Sequence, residues 1–336
     1  MVNKRAIVYG CGKIFDNHYR DAIFCCFSKV VLIDPRFSDT DFSKKYSKKA
    51  KAINPSIFVD CFPIQPKIIY EPDTYFFIFT PHKTHYNLIL NALYINPLGI
   101  YIEKPVVLTL KNWRHIENVA ENYSSTIWPA YHHFFTSFHD ILKKNIGVLD
   151  INDVRKINVD FIRGTVPVRP WGDSFTSLEY AGGGVLLDIG PHVFSILSTL
   201  ITNIHLYQLD VVSRELKNAS KLSQLETLVN FNGRISNLDC LINAKIGYDT
   251  DGKKTPRKIS IELKDLTEIS WIEGDLYINN VQVHDKRPYS ALAFKAMFFD
   301  FIQGKVFPFM SQVSWNINSI EAIYGDSYLE EECNAD

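Results

Sequence analysis

The chain has 336 residues, 46% of them hydrophobic and 22% charged, and a formal net charge of -1. That length supports two domains with a sizeable core, and the balanced charge excludes partners held by bulk electrostatics, such as nucleic acid or an anionic membrane. No apolar run is long enough to cross a bilayer, and no signal-like segment precedes the first apolar strand. The six cysteines, Cys11, Cys25, Cys26, Cys61, Cys240 and Cys333, show no metal-ligand spacing. No metal site is expected from them, and a reduced, cytoplasmic setting fits their use.

Arg5 to Tyr9 (RAIVY) reads as a buried strand that breaks into Gly10-Cys11-Gly12-Lys13-Ile14-Phe15, with a helix expected over Asp16 to Phe27. Strand, glycine turn and helix in that order are the context of a dinucleotide fingerprint. Gly10 permits the tight turn, Gly12 lets backbone approach a pyrophosphate, and the helix start offers unpaired amides. The third glycine is absent, because Phe15 stands there and must find its own pocket or push helix and strand apart. The next strand, Val30 to Ile33, ends at Asp34, 22 residues after Gly12. A carboxylate there can hydrogen-bond a ribose diol and repel a 2′-phosphate, which favours NAD over NADP. Arg36 pulls the other way, since a guanidinium can pair with that phosphate.

The lysines at 44, 45, 48, 49 and 51 read as a solvated helix face. A weak strand follows at Ser56 to Val59, then a strong one at Tyr75 to Phe79 that ends in Thr80-Pro81-His82-Lys83-Thr84-His85. After a helix over Tyr86 to Tyr94, the strand Ile100 to Ile102 ends in Glu103-Lys104-Pro105. A helix at Lys111 to Tyr123 and a strand at Thr126 to Ala130 complete a parallel, doubly wound sheet. Gly10, Asp34, Thr80 and Glu103 end four of its strands and fall on one edge, where such sheets bind ligands.

From Val154 the pattern changes to strands close in sequence, at 155–163, 205–212, 226–232, 237–245, 257–263 and 267–271. They predict an α+β domain with a largely antiparallel open sheet, covered by helices at 184–200, 289–302 and 314–328. The expected division is residues 1–128 and 129–336. Within the second part stands Gly182-Gly183-Gly184-Val185-Leu186-Leu187-Asp188-Ile189-Gly190-Pro191-His192. Asp188 and His192 share one helix face a turn apart, and a carboxylate beside an imidazole can tune it for proton transfer. Pro191 is tolerated best in a first turn, so the helix is expected to start near Asp188.

Together GCGKIFDNH at 10–18, TPHKTH at 80–85, EKP at 103–105 and GGGVLLDIGPH at 182–192 resemble the glucose–fructose oxidoreductase / inositol dehydrogenase (Gfo/Idh/MocA) family, with weaker echoes in AYHHFF at 130–135 and EAIYGDS at 321–327. The resemblance implies an N-terminal Rossmann domain that binds NAD, or NADP, through Gly10, Cys11, Gly12, Lys13, Ile14, Asp34, Arg36, Thr80, Pro81, His82, His85, Glu103, Lys104 and Pro105. It implies a C-terminal domain that holds a sugar-like small molecule and joins subunits, so a dimer or tetramer through the C-terminal sheet is expected. Lys104 matches the catalytic lysine, often preceding a cis bond to proline, and Asp188 and His192 match the acidic and histidine members of the second motif. His133 stands where many sugar-active members carry arginine. The implied reaction is hydride transfer between nicotinamide and a hydroxyl or keto carbon, with His192 moving the proton and Lys104 holding the same oxygen, roles the two could exchange. Substrate walls are expected from Trp171, Asp173 and Tyr180, and from Tyr131. Two rivals are an NAD-retaining enzyme that cleaves glycosides or epimerises, and a non-catalytic dinucleotide sensor. The proposal requires the Lys104 and His192 segments to meet one dinucleotide ring.

Overall fold

The computed structural model describes residues 4–64, 66, 73–164, 183–218, 225–248, 256–283 and 289–325. Contacts divide the chain into two compact units, Met1–Val106 with Lys111–Ala130 and Phe294–Pro308, and Val107–Leu110 with Tyr131–Ala293 and Phe309–Asp336.

In the first unit the apolar runs become parallel strands, β1 (Arg5–Tyr9), β2 (Lys29–Ile33), β3 (Phe58–Phe62), β4 (Thr74–Ile78), β5 (Gly99–Ile102) and β6 (Thr126–Pro129), ordered β3-β2-β1-β4-β5-β6. All residues of β1, β4 and β5 are buried, as strands covered on both faces require. The helices are α1 (Arg20–Cys26), α2 (Thr40–Ile53), α3 (His85–Ile95) and α4 (Leu110–Ala120). The strand order reverses between β1 and β4, the switch point at which such sheets take ligands.

One expectation changes here. Phe294–Pro308, read from sequence as part of the second domain, packs in the first unit. A Cβ on Gly99 would lie 2.6 Å from the Phe301 ring, so β5 begins on glycine where this ring covers it. Phe298 stacks on Phe77, and Trp128 Nε1 donates to the Lys305 carbonyl over 3.1 Å. Aromatic burial on the scale of about 2 kcal/mol per ring outweighs sequence proximity.

The second unit contains α5 (Phe138–Ile146), β7 (Val154–Arg163), α6 (Val185–Leu200), β8 (Leu209–Lys217), β9 (Leu228–Ile235), β10 (Cys240–Tyr248), β11 (Lys258–Leu263), β12 (Glu268–Ile272), β13 (Asp275–Ile278) and β14 (Val281–Gln282). The remaining helices are α7 (Tyr289–Ile302), which runs from the second unit into the first, and α8 (Met310–Tyr324). The sheet order is β14-β13-β12-β11-β7-β10-β9-β8; β7 and β10 run parallel and the other pairs antiparallel. Inward residues such as Val229, Phe231, Ile242 and Ile246 share one core with α6. The opposite face carries Asn158, Asn230, Asn232 and Asn243. His205 and Leu206, expected to open a strand at 205–212, fall instead in a short 3-10 turn, Ile204–Leu206, which follows Asn203 at φ 62°. Among the described residues no helix is long and apolar enough to cross a membrane.

Candidate functional site

The turn after β1 is built around two glycines that do different jobs. Gly10 adopts φ +82°, and a Cβ there would lie 2.6 Å from the Phe79 carbonyl oxygen, so only glycine fits. A Cβ on Gly12 would meet nothing within 4 Å, which leaves room beside the turn for a ligand. Phe15, where a third glycine was expected, is fully buried among Phe24, Tyr46 and Phe79. The chain meets its bulk with a π-helical turn, Phe15–Tyr19, ahead of α1, in place of the uniform helix expected over 16–27.

Asp34 closes the same turn. Its carboxylate accepts from the Cys11 amide (2.8 Å), from the Arg36 amide (3.0 Å) and from Arg36 Nε and Nη2 (2.8 Å each). Four donors fill the acceptor sites of a carboxylate, so a ribose diol at Asp34 would have to displace part of the Arg36 grip. Burial raises the Asp34 pKa, but the bonds from Arg36 and Cys11 outweigh it and hold the group below the usual aspartate value. The pair therefore stabilises the fold at neutral pH and loses that contribution as pH falls through the lowered pKa. The Cys11 side chain is buried and its thiol pKa is pushed well up by that burial. Its contribution to the turn is its backbone.

The ends of β4 and β5 are tied together by His85. Its Nδ1 lies 2.8 Å from the Pro105 carbonyl and its Nε2 2.9 Å from the Thr80 carbonyl. Both partners are acceptors and the neutral ring carries one N–H, so His85 donates to one carbonyl at a time while its ring lies between the two loops. Burial lowers its pKa, with Lys104 adding to the effect against the two carbonyls. His85→Ala leaves one buried carbonyl without its donor and a cavity, and a loss of about 2–4 kcal/mol is expected in urea unfolding. His82 is buried, while Thr80 receives a 2.7 Å bond from Thr84 Oγ1.

The bond between Lys104 and Pro105 is cis. Glu103 is buried and accepts from the Lys104 amide over 3.0 Å and from Tyr19 over 3.4 Å. Tyr101 in turn donates to Tyr19 over 3.1 Å. Burial pushes both phenols well above their ordinary pKa, so they stay neutral donors in this chain. Nothing in the sequence spacing marked Tyr19 or Tyr101, which reach Glu103 only through the fold.

In the second unit, α6 matches the run expected at 184–200 within a residue and begins three residues before the start that Pro191 suggested. The Val185 amide donates to the Glu226 carbonyl over 2.9 Å and the Leu186 amide to its carboxylate over 3.3 Å, capping the helix upstream of Asp188. Pro191 therefore lies inside the helix, and its carbonyl is held by Ser195 Oγ (2.6 Å) and Asn316 Nδ2 (3.0 Å). Asp188 accepts a 2.6 Å bond from Tyr248 and pairs with Arg163 at 3.9 Å. His192 Nδ1 lies 3.1 Å from His133 Nε2, which sets a second imidazole beside it. The His133 carbonyl accepts from Thr199 Oγ1 on α6 over 3.1 Å. Tyr131, expected at the substrate, is 2% exposed and stacked on Phe134. Trp171, Asp173, Tyr180 and Gly182 lie outside the described residues.

No family model matches the chain. It is 22% identical over 200 residues to the oxidoreductase cns1 of Cordyceps militaris, and 24% identical over 189 residues to the D-glucoside 3-dehydrogenase of Escherichia coli. Each match covers 56% of this chain but only 24% and 51% of those relatives, so the chain spans at most about half the length of the curated relatives it matches. The solved structure of levoglucosan dehydrogenase, a complex with NADH, superposes with a TM-score of 0.73 at 14% identity, covering 98% of each chain. The chain has the two-domain fold of that dehydrogenase. That fold includes the feature least legible from composition, the mostly antiparallel sheet that follows a parallel one.

Proposed function

We propose that this chain is an NAD(P)-dependent oxidoreductase acting on a hydroxyl or keto carbon of a sugar, sugar nucleotide or cyclitol. The observation that carries the reading is the turn at the β1 switch point, where Gly10 is obligatory and Gly12 leaves open space. These features fit a dinucleotide, held by Gly10, Cys11, Gly12, Lys13 and Ile14 at its pyrophosphate and by Asp34 or Arg36 at its ribose. When bound, the dinucleotide supplies the hydride acceptor or donor. The names of the relatives, a glucoside dehydrogenase and a levoglucosan dehydrogenase, support a carbohydrate substrate.

The chain supplies the proton chemistry. If His192 Nδ1 donates to His133 Nε2, the opposite nitrogen, Nε2, is bare and accepts the alcohol proton. Lys104 donates to the same oxygen and stabilises charge developing on it. Asp188, held by Tyr248, orients the substrate hydroxyls. The first unit serves the cofactor and the second the substrate; the polar face of the eight-stranded sheet is the surface for a dimer or tetramer, and the setting is the cytoplasm.

The test is thermal stabilisation of the full chain by NAD⁺ and by NADP⁺, followed by a turnover screen of sugars and nucleotide-linked sugars. A ligand at a hundred times its Kd adds about 2.7 kcal/mol, a readily measured shift. Stabilisation by neither dinucleotide overturns the reading. In Arg36→Ala, Asp34 regains acceptor sites and any 2′-phosphate loses its cation. The preference for NAD⁺ over NADP⁺ is expected to rise at least about tenfold, read from the two dissociation constants.

A further inference from the structure

His132, His133 and His192 each bring a ring nitrogen within 4.8 Å of the other two. His132 and His133 are buried, and their rings lie 4.0 Å apart between centroids, with His192 at 5.4 Å and 5.2 Å from them. A tetrahedral ion bound at about 2.0–2.1 Å spaces its ligand atoms about 3.4 Å apart. The His133 Nε2 to His192 Nδ1 separation of 3.1 Å is already close to that value. His132 offers the third ring nitrogen, within 4.8 Å of the other two. The backbone beneath is braced, since Thr199 and Thr136 both donate to the His133 carbonyl and Ser195 Oγ bonds the His192 carbonyl over 3.0 Å.

We propose that these three histidines form a site for a borderline divalent ion, Zn²⁺ in the first instance, and that the ion disables His192 as a proton acceptor. Three neutral imidazoles suit Zn²⁺, Ni²⁺ or Co²⁺ and leave a fourth position for water. An ion on His192 Nδ1 takes the lone pair nearest His133 and fixes the ring proton on Nε2. The nitrogen that would receive the alcohol proton then already carries one. This second half rests on the role given to His192 above; the binding site does not.

The test titrates the full chain with Zn²⁺ against a chromogenic chelator and follows Co²⁺ by its visible absorption. One equivalent is expected to bind with a tetrahedral Co²⁺ spectrum, and His132→Ala and His133→Ala should each weaken Zn²⁺ at least about tenfold. Thermal melts establish that each variant folds, with His132→Gln measured if His132→Ala does not. Zn²⁺ should also inhibit turnover reversibly, with recovery on EDTA. Absence of binding, or equal binding in the folded variants, overturns the site. Zn²⁺ bound at the three histidines with turnover unchanged leaves the site standing and removes His192 from the proton-transfer role.

Discussion

Lys104→Ala is expected to lower turnover by at least about a hundredfold, the scale of one hydrogen bond to a charge developing on the reacting oxygen. The fold should survive, because bonds to the backbone of this loop shape it. The Lys104 amide donates to Glu103, and the next carbonyl lies 2.8 Å from His85 Nδ1. Steady-state kinetics on the best sugar, with a thermal melt beside them, separate the two effects. The loss should fall on kcat with little change in dinucleotide affinity, since an interaction made mainly in the transition state is removed. Lys104→Ala turning over within a few-fold of the parent would end the assignment.

The second large effect is on stability. A methyl group on Gly184 would lie 2.3 Å from the Glu226 carbonyl oxygen and 2.4 Å from its carboxylate. The side chain could swing away, but the carbonyl is backbone and already accepts the Val185 amide. Gly184→Ala must therefore break the cap of α6 or shift the strand end beside it, at about 2–4 kcal/mol. The same Glu226 carboxylate accepts from Tyr324 over 2.6 Å, so α8 loosens with it. Urea unfolding should show a lower midpoint with an unchanged slope. A midpoint equal to the parent's would show that the loop around Glu226 yields at little cost.

The first unit was legible because its strands are continuous apolar runs, whose two-sided burial leaves no other reading for YFFIF or RAIVY. The π turn was not legible, because it answers to the pocket that Phe15 fills and not to any local period. The apolar run at 184–200 placed α6 well, but Pro191 set its expected start late, because the cap that starts the helix comes from Glu226, far along the chain. The hairpin joining β13 to β14 was readable and was missed. Asn279 and Asn280 both adopt positive φ, 48° and 65°, the turn that pairs of asparagine favour. At the candidate site, spacing singled out Asp188 and His192. Their partners Tyr248 and His133 come from a strand and a loop that only tertiary structure brings near.

The return of Phe294–Pro308 to the first unit bears on how this protein can be dissected. A fragment ending at Ala130 would keep every strand of the parallel sheet yet leave Phe77, Tyr101 and Trp128 without the rings that shelter them. Such a piece should clump on release from the ribosome. Splicing 294–308 back through a short artificial tether should restore it to a dissolved monomer.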